Sequence, residues 1–360
     1  MPTKYKRQYT LDLLRIVAAC SIVLFHYSFR GIAADNMCIL GFPSIATFFK
    51  YGYMGFYLFF ILSGYLISFS IEKKLLFEFI VSRIARLYPA FWVSVIITSL
   101  ATVYLGDGRY SVSLPKFLAN LTMLNKLFGI KPVDGAYWYL YVLLKLYLLM
   151  AMFIIFRKFI GIRTFAVVIF VLDVLVYHNS IPKLGIVLEP EYSPFFIAGI
   201  TFYLMKKDDG EKKLVNSLFL LICFAFCLEI VIDKSFQMRA HYQTAFSPLV
   251  TGFVLFMVFT IFLFSTIIQF NLENKWLMKF GLATYPLYLL HENIGFMIFN
   301  KYGRNSNKYV LLLIVLLLIW SLAFIISTYI EPFLYEKLKK CLYYPKHCVA
   351  VCRAVNGDIH

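Results

Sequence analysis

Apolar runs of about twenty residues recur from one end of this 360-residue chain to the other, broken by short basic segments. A bilayer core about 30 Å thick takes about 20 apolar residues per crossing helix. Ten stretches are candidates, the sixth of them short: 10–29, 53–71, 88–105, 137–156, 162–177, 194–206, 214–232, 247–268, 281–299 and 309–331. The expected fold is therefore all-α, a polytopic integral membrane protein with about ten transmembrane helices. Hydrophobic residues make up 61% of the chain, against roughly 45–50% in a globular domain. No sizeable soluble domain fits between the runs. Residues 1–340 read as one membrane domain and 341–360 as a short cytoplasmic tail.

A net charge of +16 could suggest a nucleic-acid partner. The basic residues, however, are split among short loops, a pattern of membrane topology rather than of a DNA-binding stripe. No nucleic acid is expected, and membrane lipid is the surrounding partner. Placing the N-terminus inside puts most lysines and arginines on inner segments. By the positive-inside rule both termini are expected to be cytoplasmic, and the expected location is the inner, plasma membrane. Asp12, Arg15 and His26 interrupt the first run and no clean cleavage site follows, so it reads as an uncleaved helix. His347, Cys348 and Cys352 imitate a metal cluster but match no zinc spacing, so no metal is expected.

A charged side chain inside hydrocarbon costs several kcal/mol, so the first helix, LDLLRIVAACSIVLFHYSF, is unusual in holding Arg15 and His26. At about 100° per residue, Asp12, Arg15 and His26 fall within about 60° on one face. Asp12 and Arg15, three residues apart, can pair. His26 lies about 16 Å further along the axis, toward the outer half. A desolvated histidine is neutral and can accept a proton. In the loop before the third helix, SRIARLYPAFW carries Arg83 and Arg86 three residues apart. Arginine forks suit phosphate, and a cytosolic CoA thioester carries a phosphorylated handle. Around Gly52, Gly55 and Ser63-Gly64 the small residues allow close helix approach. His291 and Glu292 are neighbours inside the ninth apolar run, where polar pairs are expensive. Segment 106–136 is apolar enough to lie in the interface or re-enter, and its Asn120-Leu121-Thr122 is a formal glycosylation sequon.

Together these segments resemble the acyltransferase-3 family of integral-membrane O-acyltransferases. LDLLRIVAACSIVLFH resembles its opening helix with arginine and histidine, and GFYLFFILSGYLI its Phe-Phe-x-x-Ser-Gly signature. SRIARLYPAFW is similar to its Arg-x-x-Arg-x-Tyr-Pro segment, VDGAYWYLYVLLKLYLL to its Trp-x-Leu helix, and TYPLYLLHENIG to its late Tyr-Leu-x-His element. The resemblance implies transfer of an acyl group, usually acetyl, from cytosolic acetyl-CoA to a sugar hydroxyl of a cell-envelope or lipid-linked glycan. It implies that His26 deprotonates the acceptor, Arg15 holds or polarises the acyl donor, and Arg83 and Arg86 bind CoA phosphates. Asp12, Ser63, Trp138, Lys145, His291 and Glu292 are supporting candidates.

The chain departs from the pattern once. The family commonly has a glutamate five residues after the tryptophan, and here that position is Leu143, with Lys145 two further on. Leucine cannot accept a hydrogen bond. Asp173, Glu229 and Glu292 are the carboxylates placed to substitute, and Lys145 can pair with Asp173 if their helices touch. Two other readings compete with the enzyme: a transporter or flippase for a lipid-linked glycan, and a catalytically inactive family member.

Overall fold

The computed structural model describes residues 8–33, 36–72, 74–267 and 274–343. All regular structure among them is helical. The elements are α1 (Tyr9–Phe25), α2 (Gly31–Ala33), α3 (Pro43–Phe49), α4 (Gly55–Ile71), α5 (Leu76–Leu105), α6 (Leu114–Leu121) and α7 (Trp138–Phe156). They continue as α8 (Ile162–Tyr177), α9 (Ser193–Lys207), α10 (Gly210–Tyr242), α11 (Pro248–Ile267), α12 (Lys275–Tyr302), α13 (Lys308–Ile325) and α14 (Glu331–Tyr343). Helix starts follow local chemistry. Asn274 and Asn307 accept the first free backbone N–H groups of α12 and α13, and Pro194 sits in the first turn of α9.

Each of the ten expected stretches contains a helix, but among the described residues seven helical segments are long and apolar enough to cross a membrane. The expectation of about ten is corrected to seven. α8 and α9 have 16 and 15 residues, short for a crossing. α12 has 28 residues but carries Lys275, Lys279, His291, Glu292, Asn293 and Lys301. The physical reason for α9 and α12 lies in their surroundings. Ser193 through Leu204 of α9 and nearly all of Gly281 through Phe299 of α12 are buried by other helices. A helix wrapped in protein does not need the apolar surface that lipid demands.

Close backbone approach fixes the centre. A Cβ on Gly64 would fall 1.9 Å from the Phe196 carbonyl oxygen, and one on Gly199 would fall 2.1 Å from that of Ile61. α4 and α9 thus cross through a reciprocal pair of glycines, the small-residue packing that holds membrane helices together. α12 packs on α1, α5 and α13.

Two local departures bear on the site. α5 begins at Leu76, where the Glu78 carboxylate accepts the Leu75 backbone N–H (3.1 Å). Arg83 and Arg86 therefore lie within a helix rather than in the expected loop, because no breaker precedes Pro89. Segment 106–136 folds back along the bundle. Trp92 Nε1 donates to the Leu121 carbonyl (2.9 Å) and the Tyr88 hydroxyl to that of Thr122 (2.8 Å). Trp92 is thirteen residues from the end of α5, so the segment returns about 20 Å along that helix. Asn120, fully buried, stitches it together and is no glycan acceptor in this fold.

Candidate active site

Two cavities stand back to back on α1, α4, α7 and α12. One opens on the near face, where α1 begins, and has a volume of about 340 Å³. Arg15, Ser63, Arg83, Arg86, Leu143 and Tyr285 are among its walls. The other opens on the far face, with about 180 Å³. His26, Arg30, Trp138, Tyr192, Lys234 and Glu292 line it. A layer of rings lies between them. Phe59, Tyr139 and Tyr288 face the near cavity, while Phe56 faces the far one, 6.1 Å from the Tyr288 ring.

The near cavity gathers three arginines. Arg15 is held by Asp12 at 2.9 Å, the i,i+3 pair expected from the sequence. Arg86 is held by the buried Glu331 at the start of α14. Arg83 lies between the Phe79 and Tyr147 rings, 5.6 Å from each, and among the described residues has no carboxylate partner. Ser63 contributes a hydroxyl 3.5 Å from that of Tyr139. Leu143 is buried in the wall, so the family's glutamate position is hydrocarbon here.

At the far cavity the sequence-predicted residues converge. α1 changes from an α-helix to a wide π turn at His26–Arg30, a form that often marks functional sites. His26 Nδ1 lies 2.8 Å from the Ile22 carbonyl and 3.1 Å from His291 Nε2. His26 Nε2 faces Glu292 Oε2 at 3.5 Å. Arg30 binds the other oxygen of Glu292. Trp138 packs edge-on against Phe56 and tilted against Tyr192, both at 5.1 Å. Donor atoms of His26, His291 and Glu292 lie within 4.8 Å of one another. A metal cation there would meet the Arg30 guanidinium, and the facing imidazole nitrogens are already bonded to each other, so the set suits proton transfer better than metal.

The loop before α7 closes this cavity. Asp134 Oδ1 accepts the Ala136 N–H (2.9 Å) and Oδ2 the Asn293 N–H (3.0 Å), tying the loop to α12 beside Glu292. Burial and the neighbouring Glu292 push the Asp134 carboxyl above the usual carboxylate range, against those donors and Arg30. A Cβ on Gly135 would fall 2.5 Å from Glu292 Oε1, so only glycine lets the loop come this close.

Of the carboxylates placed to replace the family's glutamate, Glu292 alone is beside His26. Asp173 bonds Ser193, and Glu229 faces His178 at 3.5 Å. Lys145 pairs with Glu189 at 2.7 Å, not with Asp173, because the turn before α9 brings Glu189 to it. Arg30 and Asp134 were missed by sequence reasoning. The i,i+4 spacing of Arg30 from His26, and an aspartate just before Gly135, were the available signals.

A family model described as an acyltransferase domain, acyltransferase-3, matches residues 8–331 of the chain. No curated protein and no solved structure matches it.

Proposed function

Since the chain belongs to the acyltransferase-3 family, we propose that it moves an acetyl group from cytosolic acetyl-CoA to a hydroxyl of a cell-envelope or lipid-linked glycan. The observation that carries this reading is the pair of cavities on the same four helices, one walled by three arginines and the other by a buried imidazole. On this reading the near face is cytoplasmic. Arg83 and Arg86 receive the CoA phosphates as charge-assisted forks, and Arg15 holds the acyl end of the donor. The acceptor enters from the far face, between the rings of Trp138 and Tyr192.

The chemistry then needs few groups. On this reading the thioester end passes from Arg15 through the ring layer of Phe59, Tyr139 and Tyr288 to the far cavity, where His26 Nε2 takes the proton of the acceptor hydroxyl as its oxygen attacks the thioester carbonyl. A C–O bond forms, the C–S bond breaks, and the proton passes to the departing CoA sulfur. A base placed in this way contributes about 10²–10⁴ in rate. Glu292, 3.5 Å away, stabilises the imidazolium that forms.

The test is incorporation of labelled acetyl from acetyl-CoA into the glycan fraction of native membranes, comparing wild type with His26→Ala. Label with wild type alone supports the reading. Equal label with both removes His26 from the mechanism, and no label with either removes the transferase.

A further inference from the structure

His291 touches neither the near-face arginines nor, among the cavity walls, the far-face opening. Its ring is fully buried and lies 4.8 Å from that of His26, at an interplanar angle of 71°. The proton positions follow from two carbonyls. His291 Nδ1 is 2.7 Å from the Tyr288 carbonyl oxygen, which can only accept, so that nitrogen carries the proton. His291 Nε2 is then a lone pair. By the same argument the Ile22 carbonyl keeps a proton on His26 Nδ1, which His26 shares with His291 Nε2 at 3.1 Å. The only unprotonated nitrogen of His26 is Nε2, on the cavity side.

We infer that His291 is a positioning residue for the transfer reaction, acting as the neutral acceptor that fixes the His26 ring and supports its Nδ1–H when Nε2 takes a proton. This rests on the reading of His26 as the base. It differs from the usual serine-hydrolase arrangement in that a neutral imidazole, rather than a carboxylate, backs the base, while the carboxylate sits at the working nitrogen. The Tyr27 hydroxyl, 2.5 Å from the His291 backbone oxygen, and the Tyr288 carbonyl hold this acceptor in place.

The groups around His26 that bear on its titration are Arg30 on its own helix segment, Glu292 and His291 on α12, Tyr53 and Tyr57 before and within α4, and Lys234 on α10. Changing His291 alone leaves the others in place. His291→Ala should lower kcat by about 10–100-fold with KM for acetyl-CoA unchanged, and should move the acid limb of kcat/KM to lower pH, because Nε2 becomes a weaker base. His291→Gln, whose side-chain oxygen can take the Nε2 position, should recover most of both effects. An unmoved acid limb, or a glutamine variant no better than alanine, would overturn the proposal. Nitrogen-labelled histidine gives a readout independent of turnover: a scalar coupling across the His26 Nδ1–H···Nε2 His291 bond is expected, and its absence at neutral pH sinks the inference even if acetyl transfer is shown. An inactive wild type that retains the coupling would instead refute the transferase reading and leave the hydrogen bond standing.

Discussion

Glu292 serves two partners at once: one carboxylate oxygen binds Arg30, and the other lies 3.5 Å from His26 Nε2. Its side chain is only 2% exposed, and a buried carboxylate is costly unless it is paired. Arg30 supplies that pairing and so orients the second oxygen toward the nitrogen where a proton would arrive.

Glu292→Gln keeps the shape and removes the charge. We expect kcat to fall about 100-fold, equivalent to about 2.7 kcal/mol of transition-state stabilisation. KM for acetyl-CoA should stay near wild type, since the near cavity is untouched. Steady-state kinetics in detergent or nanodiscs decides it, and a full-speed glutamine variant would separate Glu292 from the reaction.

The two arginines of α5 should not be equal. Arg86 already has Glu331, whereas Arg83 has no carboxylate partner among the described residues, only the Phe79 and Tyr147 rings and a 3.5 Å contact from its Nε to the Ser82 hydroxyl. A phosphate must compete with a carboxylate for Arg86 but not for Arg83. A charge-assisted hydrogen bond is worth about 1.5–3 kcal/mol. Arg83→Ala should thus raise KM for acetyl-CoA by about 10–100-fold, and Arg86→Ala by clearly less. Glu331→Gln should lower KM by freeing Arg86. Equal losses from both alanine variants would contradict this ranking.

How much of this was legible beforehand differs by residue. Asp12 with Arg15 is a local i,i+3 relation, and helix geometry alone gives it. The closeness of His26 to His291 and Glu292 spans more than 260 positions, and no periodicity reports it. What the sequence did signal was that each was a polar group on an apolar helix needing a partner. The helix count came out high for a related reason: hydropathy counts apolar residues whether lipid or protein covers them, and α9 and α12 are wrapped by protein. The pairing of Lys145 with Asp173 depended on their helices touching; Glu189, from the turn before α9, takes that place, and a loop's path is not encoded in its composition.

Asn120 makes the returning loop a structural element. Its side chain donates to the Lys116 carbonyl (2.8 Å) and accepts the Val133 N–H (2.9 Å) in a fully buried setting. Asn120→Ala leaves the buried Val133 N–H without this acceptor, at about 1–3 kcal/mol. The loop ends at Asp134 and Gly135, beside Glu292, so stability and kcat should fall together. Thermal unfolding in detergent and the acetyl-transfer assay check the pair of effects, and loss of stability with full activity would uncouple the loop from the site.

The crossing of α4 and α9 gives a sharper test of the fold itself. Gly64→Ala would put a methyl group 1.9 Å from the Phe196 backbone oxygen, and Gly199→Ala one 2.1 Å from that of Ile61. Neither obstacle is a side-chain tip that can swing away, so the two helices must separate. Overpacking of this kind typically costs about 1–3 kcal/mol. Each variant should therefore unfold several degrees earlier, on the order of 2–8 °C. Because both residues relieve the same contact, the double variant should lose less than the sum of the two. Gly161, the N-cap of α8, has nothing within 4 Å of its would-be Cβ and is the control for steric conflict, so Gly161→Ala should lower the unfolding temperature by no more than the loss of a glycine cap.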